Sequence, residues 1–305
     1  MPIFYSTSPH NPEQLDRTMI KHPYKISSQQ FNLPDQQISY QLYRKQCEGQ
    51  PRRLVMLHGA GVAGQDTWGA IAMLVGQWDE ILIPDQRGTG NTRYPDGEEY
   101  AFTVTELVSD IGALVDHLGW WQFDLAGYSM GGMVSLLYKQ RYHDRVQKQY
   151  LLEAAVLDRP SWESTIDLRH QFSAAAEQLK QDQAETGIKA FLDTISPNRK
   201  VTPQVELLTI QRLGARPLGF ANALNCVTET INTIDREALV AAQGDVTSFI
   251  GGQSVELMHQ YQRDLAERLP NWHYFMVPGT DHSLPFQKPR QIARIMDAEL
   301  LRFLA

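Results

Sequence analysis

A serine lies between a strand pattern and a helix pattern, in the run Gly127-Tyr128-Ser129-Met130-Gly131. Residues 123–126 before it have the apolar character of a short buried strand, and residues 133–138 after it are typical of a helix. A turn this tight needs small neighbours, because a Cβ at position 127 or 131 would collide with adjoining backbone. It also places the serine Oγ above the sheet edge, beside the first N–H groups of the helix. The sequence therefore predicts an α/β fold with an exposed nucleophile at Ser129.

Strand and helix patterns alternate along most of the chain, which predicts a mostly parallel sheet with helices on both faces. The first two strands, residues 24–31 and 38–43, are predicted to form an antiparallel hairpin. The polar, aperiodic residues 1–22 predict an arm on the surface. The remaining elements are predicted at residues 53–57, 80–85, 103–118, 149–154, 246–250, 255–268, 273–277 and 289–304.

The alternation stops between residues 158 and 242, where helical patterns and loops follow one another without a convincing strand. An insertion of about 80 residues at this point is best explained as a helical cap over the carboxyl edge of the sheet, where open α/β folds bind ligands. We therefore predict a core of residues 1–157 and 243–305 and an inserted cap of residues 158–242. Four large apolar side chains of the cap are candidates for lining an acyl pocket: Trp162, Phe172, Phe191 and Leu192.

Composition excludes several classes of protein. A hydrophobic content of 42% with 21% charged residues is that of a globular protein. The formal net charge of −7 and the absence of a basic run argue against nucleic-acid partners. No apolar run is long enough to cross a membrane, and the first residues lack a secretory signal. Cys47 and Cys226 are too few for a disulfide framework or a metal site, so we expect free thiols in the cytoplasm.

Four motifs, taken together, resemble the α/β-hydrolase superfamily. They are His58-Gly59-Ala60-Gly61 after one strand, Asp85-Gln86-Arg87-Gly88-Thr89-Gly90 after the next, the turn at Ser129, and Gly279-Thr280-Asp281-His282 after the last strand. Their order and spacing are specific for the superfamily, and the resemblance extends from about residue 24 to residue 304. It implies a mostly parallel sheet with an inserted helical cap, and it leaves the substrate open.

A serine hydroxyl is a poor nucleophile at neutral pH unless an imidazole takes its proton. Of the nine histidines, His282 lies in a loop just after the last predicted strand, where the superfamily carries its histidine. Such a loop can reach the serine turn, whereas histidines on helix surfaces, such as His117 and His143, cannot readily do so. We therefore predict that His282 is the base.

The acid departs from the pattern of most relatives, which place an Asp after the strand that follows the cap. Here that stretch contains Gln253 and Ser254, which cannot carry the negative charge that stabilises an imidazolium. Glu256 could, but Ser254 has the character of an N-cap, which would put Glu256 in a first helical turn where it only offsets the dipole. Glu153 ends an otherwise apolar strand, where a carboxylate is costly unless it is paired. We predict Glu153 as the acid, as in a minority of the superfamily, and keep Glu256 as the alternative.

The oxyanion hole is predicted to consist of the backbone N–H groups of Met130 and Ala60. His58 is expected to be a structural residue beneath its loop. The turn motif of Asp85, Arg87, Gly88 and Gly90 is expected to stabilise a turn and to take no part in the chemistry.

These residues predict two-step acyl transfer through an acyl-enzyme on Ser129, with a small-molecule acyl substrate and with no cofactor or metal. Hydrolysis of a small or medium carboxylic ester is the leading prediction. Thioester hydrolysis and C–C bond hydrolysis would use the same residues. Proline-releasing aminopeptidases of this fold tend to carry clustered acidic cap residues, and those of this cap, Glu163, Asp167, Glu177 and Glu229, form no such cluster. A ligand-binding or receptor protein with feeble turnover is the alternative from another class.

Overall fold

The computed structural model describes residues 23–181 and 183–305, so the arm predicted for residues 1–22 lies outside the described residues. The described residues form one eight-stranded sheet with the order β1-β2-β4-β3-β5-β6-β7-β8. Its strands are β1 (Lys25–Asn32), β2 (Gln37–Arg44), β3 (Arg53–Leu57), β4 (Glu80–Pro84), β5 (Phe123–Tyr128), β6 (Val146–Leu152), β7 (Asp245–Gly251) and β8 (Trp272–Val277). The predicted hairpin is confirmed, because β1 and β2 pair in antiparallel fashion; β2 and β4 are also antiparallel, and the other neighbours are parallel.

The helices connect the strands at close to the predicted positions. They are α1 (Gly64–Ala72), α2 (Val104–His117), α3 (Met130–Arg141), α4 (Trp162–Lys180), α5 (Ala184–Ile195), α6 (Pro203–Leu213), α7 (Pro217–Ile231), α8 (Arg236–Ala241), α9 (Glu256–Arg268), α10 (Leu284–Gln287) and α11 (Pro289–Leu304). The sequence did not predict α1 or α10. Helix α2 begins at the predicted place because Thr103 and Glu106 form a capping box. In residues 23–181 and 183–305 no helix combines the length and the apolar character that a membrane crossing requires.

The sheet has an apolar core on each face, as the continuous apolar strands predicted. One core contains buried residues of α2, α3, α7 and α9 together with one face of the strands. The other contains buried residues of α1, α10 and α11 against the opposite face. The parallel strands are therefore covered on both sides, and the ends of the strands remain as the place where loops can form a site.

Helices α4 to α8 lie between β6 and β7 in the chain, within the segment that lacks strand patterns. Side chains of α4 to α7 form an apolar cluster that includes Phe172, Phe191 and Phe220. Helix α7 approaches the core closely, since a Cβ at Gly219 would lie 2.1 Å from the carbonyl oxygen of Gly88. Arg216 adds hydrogen bonds to the carbonyl groups of the turn that contains Gly88. The absence of a side chain at Gly219 and the hydrogen bonds of the half-buried Arg216 guanidinium thus hold this helical segment against the sheet.

Three strands of the parallel part of the sheet bring the predicted residues to one edge. Ser129 directly follows β5, Glu153 directly follows β6, and His282 lies in the loop after β8. Strand β6 begins at Val146, three residues before its predicted start, and it ends at Leu152. Because carboxyl ends of parallel strands meet at one edge of a sheet, these three residues become neighbours although they are far apart in sequence.

Candidate active site

Ser129 occupies a strained turn between β5 and α3, with φ of 53° and ψ of −117°. Positive φ is uncommon for a residue with a side chain, and at functional sites the surrounding structure holds such strain in place. The two glycines of the motif permit the turn: a Cβ at Gly127 would lie 2.4 Å from the carbonyl oxygen of Gly131, and one at Gly131 would lie 2.3 Å from that of Leu57. The predicted collision with neighbouring backbone is confirmed.

The structure brings Ser129, His282 and Glu153 together in one hydrogen-bonded chain. Nδ1 of His282 lies 2.7 Å from Oε2 of Glu153, and Nε2 of His282 lies 3.2 Å from Oγ of Ser129. A carboxylate can only accept, so Nδ1 carries the proton and donates a hydrogen bond to Glu153. Nε2 then accepts a hydrogen bond from the serine hydroxyl. This is the tautomer that His282 needs in order to act as a base for Ser129.

Glu153 is buried, with 3% of its surface exposed, and its second oxygen is also bonded. Oε1 accepts hydrogen bonds from the backbone N–H of Gly251 at 2.7 Å and from the hydroxyl of Ser254 at 2.5 Å. The residue has a φ of 42°, a left-handed conformation that a glutamate rarely adopts. Three donors from β7, its following loop and His282 therefore fix a carboxylate that would be costly to bury alone.

The structure corrects the interpretation of Ser254 as a helix N-cap. The N-cap of α9 is Val255, which has no side-chain capping bond, and the Ser254 hydroxyl donates to Glu153 instead. A hydrogen bond from a hydroxyl to a carboxylate is charge-assisted and therefore stronger than one between neutral groups. Glu256, the alternative acid, does begin the helix, but its side chain is 77% exposed and pairs with Arg263 at 2.5 Å. Of the two candidates, Glu153 is the one in contact with His282.

The two residues predicted to supply oxyanion donors lie beside the serine. Met130 is the first residue of α3, where N–H groups lack intrahelical partners, and Ala60 follows His58-Gly59 in the loop after β3. Both line one small cavity together with Ser129. Gly61, with φ of 79°, lets this loop pass close to Phe220 of α7, because a Cβ at Gly61 would lie 2.7 Å from the Phe220 ring.

His58 lies beneath that loop and is fully buried. Its Nδ1 lies 2.7 Å from the Gly59 carbonyl oxygen, to which it donates, and its Nε2 accepts from the backbone N–H of Gln86 at 2.8 Å. Burial lowers the pKa of His58, an effect opposed in part by the charge of Asp85. Asp85 itself accepts from the backbone N–H groups of Gly64 and Asn91. The residues of this turn motif bond to one another and to the loops they support.

A cavity of about 320 Å³ opens beside Ser129 and His282. Phe191 and Leu192 of α5 line it, as do Val205 and Leu208 of α6. Tyr128 forms part of its floor, and burial, reinforced by the charge of Glu153, raises the pKa of its phenol well above the usual range. The cavity therefore offers a largely apolar wall with a neutral phenol near the serine. Two of the four apolar candidates from the sequence, Phe191 and Leu192, lie in it.

A smaller cavity of about 10 Å³ lies on another side of Ser129 and contains a charged pair. Arg169 of α4 and Asp158, in the loop before α4, line it together with Phe172. This pair was not predicted from the sequence. Its helical spacing could have indicated that Arg169 is buried, because Arg169 lies three residues before Phe172, on the buried face of α4. Trp162 lines neither cavity and packs beneath the guanidinium of Arg236, 5.0 Å from its ring centre.

Comparison with known proteins places this site in a known fold. A proline iminopeptidase of Lactobacillus acidophilus is 26% identical over 147 residues, which are 48% of this chain and 50% of that protein. The alignment thus spans about half the length of such a curated relative. A thermophilic esterase from Thermogutta terrifontis superposes with a TM-score of 0.71 at 18% identity, covering 91% of this chain and 99% of that chain.

A carboxylesterase structure from Nitrososphaera gargenis gives a TM-score of 0.70 at 17% identity, covering 90% of this chain and 99% of that chain. At such identities the two solved structures show a shared fold. The sequence model of the alpha/beta hydrolase family matches residues 54–295, a range that includes Ser129, Glu153 and His282. The chain therefore belongs to the alpha/beta hydrolase family.

Proposed function

We propose that this protein is a serine hydrolase that cleaves a small or medium carboxylic ester through an acyl-enzyme on Ser129. The observation that carries the proposal is the hydrogen-bonded chain from Ser129 through His282 to Glu153, with distances of 3.2 and 2.7 Å. Ser129 and His282 line a largely apolar cavity of about 320 Å³. A nucleophile, a base and a buried acid beside an apolar pocket are the parts that acyl transfer requires.

In the first step Oγ of Ser129 attacks the ester carbonyl carbon while Nε2 of His282 takes the hydroxyl proton. The carbonyl oxygen becomes negatively charged and accepts hydrogen bonds from the N–H groups of Met130 and Ala60. The imidazolium of His282 is stabilised by Glu153 and gives its proton to the departing alcohol oxygen. The C–O bond of the ester breaks, and the acyl group remains on Ser129.

In the second step a water molecule replaces the alcohol. His282 accepts a proton from this water as the water attacks the acyl carbon, and the same two N–H groups hold the second oxyanion. The proton then returns to Oγ of Ser129, which leaves as a free hydroxyl, and the carboxylic acid is released. Both steps use the same side chains in the same positions.

We further propose that residues 158–242 act as a cap that sets substrate choice. Phe191, Leu192 and Leu208 of this segment give the larger cavity its apolar wall, which suits alkyl or aryl groups. Glu163, Asp167, Glu177 and Glu229, the acidic residues considered for holding a substrate amine, line neither cavity that contains Ser129. Asp158 does line the smaller cavity, but its charge is paired with Arg169, which would repel an ammonium group. An ester therefore fits this segment better than an amino-terminal peptide does.

Labelling with a fluorophosphonate probe tests the nucleophile. We expect one adduct on Ser129 in the wild type and no adduct in Ser129→Ala, with ester turnover reduced by about 10³-fold or more. Ser283→Ala is the matched control, because Ser283 lines the same cavity next to His282. Labelling that survives in Ser129→Ala, or that is lost in Ser283→Ala alone, would contradict the proposal.

A substrate panel tests the bond that is cleaved. Matched oxygen esters and thioesters of graded acyl length, together with proline p-nitroanilide, should give the highest kcat/KM for an oxygen ester. A thioester preferred by more than tenfold would assign the same site to thioester hydrolysis. Turnover of the proline anilide above every ester would assign it to aminopeptidase chemistry. Fluorophosphonate labelling without turnover of any member would indicate a binding protein on this fold.

A further inference from the structure

The smaller cavity differs in character from the larger one, although both meet at Ser129. It is enclosed between the loop of Ala60, the start of α3 and helix α4, and it contains the two opposite charges of Asp158 and Arg169. Both residues are buried, with 2% and 1% of their surfaces exposed. Charged groups this deeply buried are expensive unless every polar atom has a partner.

The Asp158–Arg169 pair leaves much of its hydrogen-bonding capacity unused. Nη2 of Arg169 donates to Oδ2 of Asp158 at 2.8 Å. Among the described residues, Nε and Nη1 of Arg169 and Oδ1 of Asp158 have no hydrogen-bond partner. The ring of Phe172 covers one face of the guanidinium at 4.7 Å, which leaves the N–H edges free. A buried polar atom without a partner is costly, so a group that completes these hydrogen bonds, whether a water molecule or part of a ligand, would stabilise the pair.

The free atoms define the group that would satisfy them. Arg169 offers N–H donors and Asp158 offers one acceptor, so a group that both accepts and donates fits the pair. A hydroxyl does both and is neutral, as the ion pair is overall. An ammonium could donate to Asp158 but would be repelled by Arg169, and a carboxylate could accept from Arg169 but would be repelled by Asp158 and Glu153.

The position of the cavity assigns it to the acyl side of the scissile bond. It contains both Met130 and Ala60, whose N–H groups would hold the carbonyl oxygen. Ala60 also lines the larger cavity, but Met130 lines only the smaller one, whereas Ser283 and Phe286, which follow His282 in the chain, line only the larger one. His282 delivers its proton to the departing alcohol, so the alcohol belongs on that side. A space of about 10 Å³ admits about one water-sized group, which limits the acyl group to a short one.

We propose that Asp158 and Arg169 form an acyl subsite that binds a short hydroxyacyl group, such as glycolyl or lactoyl. The hydroxyl of that group donates to Oδ1 of Asp158 and accepts from an N–H of Arg169, while its carbonyl carbon faces Ser129. The larger apolar cavity takes the alcohol. This inference rests on the proposed ester hydrolysis and adds the identity of the acyl group.

Esters with one alcohol and different acyl groups test the proposal on the wild-type protein. Butyl glycolate is compared with butyl acetate, and butyl lactate with butyl propanoate, by titration of the released acid. Each kcat/KM is divided by the rate constant for alkaline hydrolysis, which corrects for the greater intrinsic reactivity of hydroxy esters. We expect the hydroxy esters to be preferred by about 10- to 100-fold after correction, the value of one or two hydrogen bonds to charged groups.

The double variant Asp158→Leu/Arg169→Met tests the residues themselves. It removes both charges together, so that neither remains buried without its partner. We expect the corrected preference for hydroxy esters to fall to within about twofold of unity. Should the variant fail to fold, the corrected wild-type ratios still decide the proposal.

Three results would overturn the inference. They are a corrected wild-type preference below about twofold, a preference that persists in the folded double variant, and a preference for butyl glycinate over butyl glycolate, which would indicate an ammonium. In each case turnover of the plain esters that depends on Ser129 would leave the proposed function standing. Absence of turnover on every ester would remove both the proposed function and this inference.

Discussion

Ser254 donates a hydrogen bond to Oε1 of Glu153 at 2.5 Å, across the gap between the loop after β7 and the end of β6. The loop after β7 is where most relatives of the superfamily carry the acid. In this chain the N–H of Gly251, the last residue of β7, and the hydroxyl of Ser254 in this loop both donate to the carboxylate that directly follows β6. A carboxylate directly after β6 therefore lies within hydrogen-bond distance of His282, and the loop after β7 holds it in place.

Replacement of Glu153 by glutamine tests the role of the charge. Glu153→Gln keeps the shape of the side chain but removes the negative charge that stabilises the imidazolium of His282, and its amide can favour the wrong tautomer. We expect kcat for ester hydrolysis to fall by about 10²–10⁴-fold, with a smaller change in KM. Steady-state kinetics on one ester measures this effect.

Glu256→Gln is the matched control for that experiment. The Glu256 side chain is exposed and bound to Arg263, so its loss should leave kcat within about twofold of the wild type, since exposed pairs contribute little. A large loss of kcat in Glu256→Gln with little loss in Glu153→Gln would assign the acid to Glu256 and would contradict the geometry described above.

Ser254 is expected to act as a positioning residue. Ser254→Ala removes one of the three hydrogen bonds to Glu153 and leaves the carboxylate less well fixed in its left-handed backbone conformation. A hydrogen bond to a charged group contributes about 1.5–3 kcal/mol, and part of it should appear as a three- to thirtyfold fall in kcat. KM should change little, because Ser254 lines neither cavity that contains Ser129.

Ser254→Thr keeps the hydroxyl and should restore most of the activity. If Ser254 mattered only for folding, alanine would lower the melting temperature and leave kcat unchanged. That result would remove its positioning role.

The sequence predicted the fold well because its signals are local. The apolar runs of β3 and β4 and the periodicity of α2 depend on neighbouring residues alone, and their bounds agree with the structure to within a residue or two. Helix α1 was missed because it is short and lies between two motif loops. Ser129 and His282 could be proposed because the motifs around each of them place it directly after a predicted strand.

Contacts between distant segments could not be predicted in the same way. The sequence around Ser254 is equally compatible with a helix N-cap and with a bond to Glu153, which is 101 residues away. The partner of a hydroxyl depends on the register of β6 against β7, and one sequence does not carry that register. Arg169 and Asp158 were overlooked for the same reason, since their burial depends on how α4 packs over the sheet edge.

The wall of the larger cavity should control preference for the alcohol group. Of the two cavities beside Ser129, Leu192 lines only the larger one, so Leu192→Ala should enlarge that cavity. We expect the ratio of kcat/KM for long over short alkyl alcohols, in esters of one acid, to change by about 3- to 30-fold, the range that one or two methylene contacts provide.

Trp162→Ala is the control for that change. Trp162 packs against Arg236 and lines neither cavity, so its loss should lower the melting temperature and leave the ratio near the wild-type value. Equal shifts of preference in both variants would show that the effect comes from loosening of the helical segment as a whole.

The buried histidine beneath the oxyanion loop should make stability depend on pH. Burial lowers the pKa of His58, so this side chain binds a proton less readily in the folded protein than in the unfolded chain, where a histidine has a pKa of about 6.5. The unfolded state then holds more protons as the pH falls below about 6.5, and the free energy of unfolding decreases. Protonation would also place a proton on Nε2, which accepts from the N–H of Gln86. We therefore expect the melting temperature to fall on acidification, beginning near that pH.

His58→Gln tests the assignment, because glutamine can accept the same N–H but does not titrate. The variant should be less stable at pH 7.5, and its melting temperature should decline less steeply than that of the wild type between pH 6.5 and pH 5, values set by the ordinary histidine pKa of about 6.5. His143→Gln is the control, since the His143 side chain is 73% exposed and its replacement should leave the slope unchanged. Parallel curves for the wild type and His58→Gln would show that the acid sensitivity arises elsewhere.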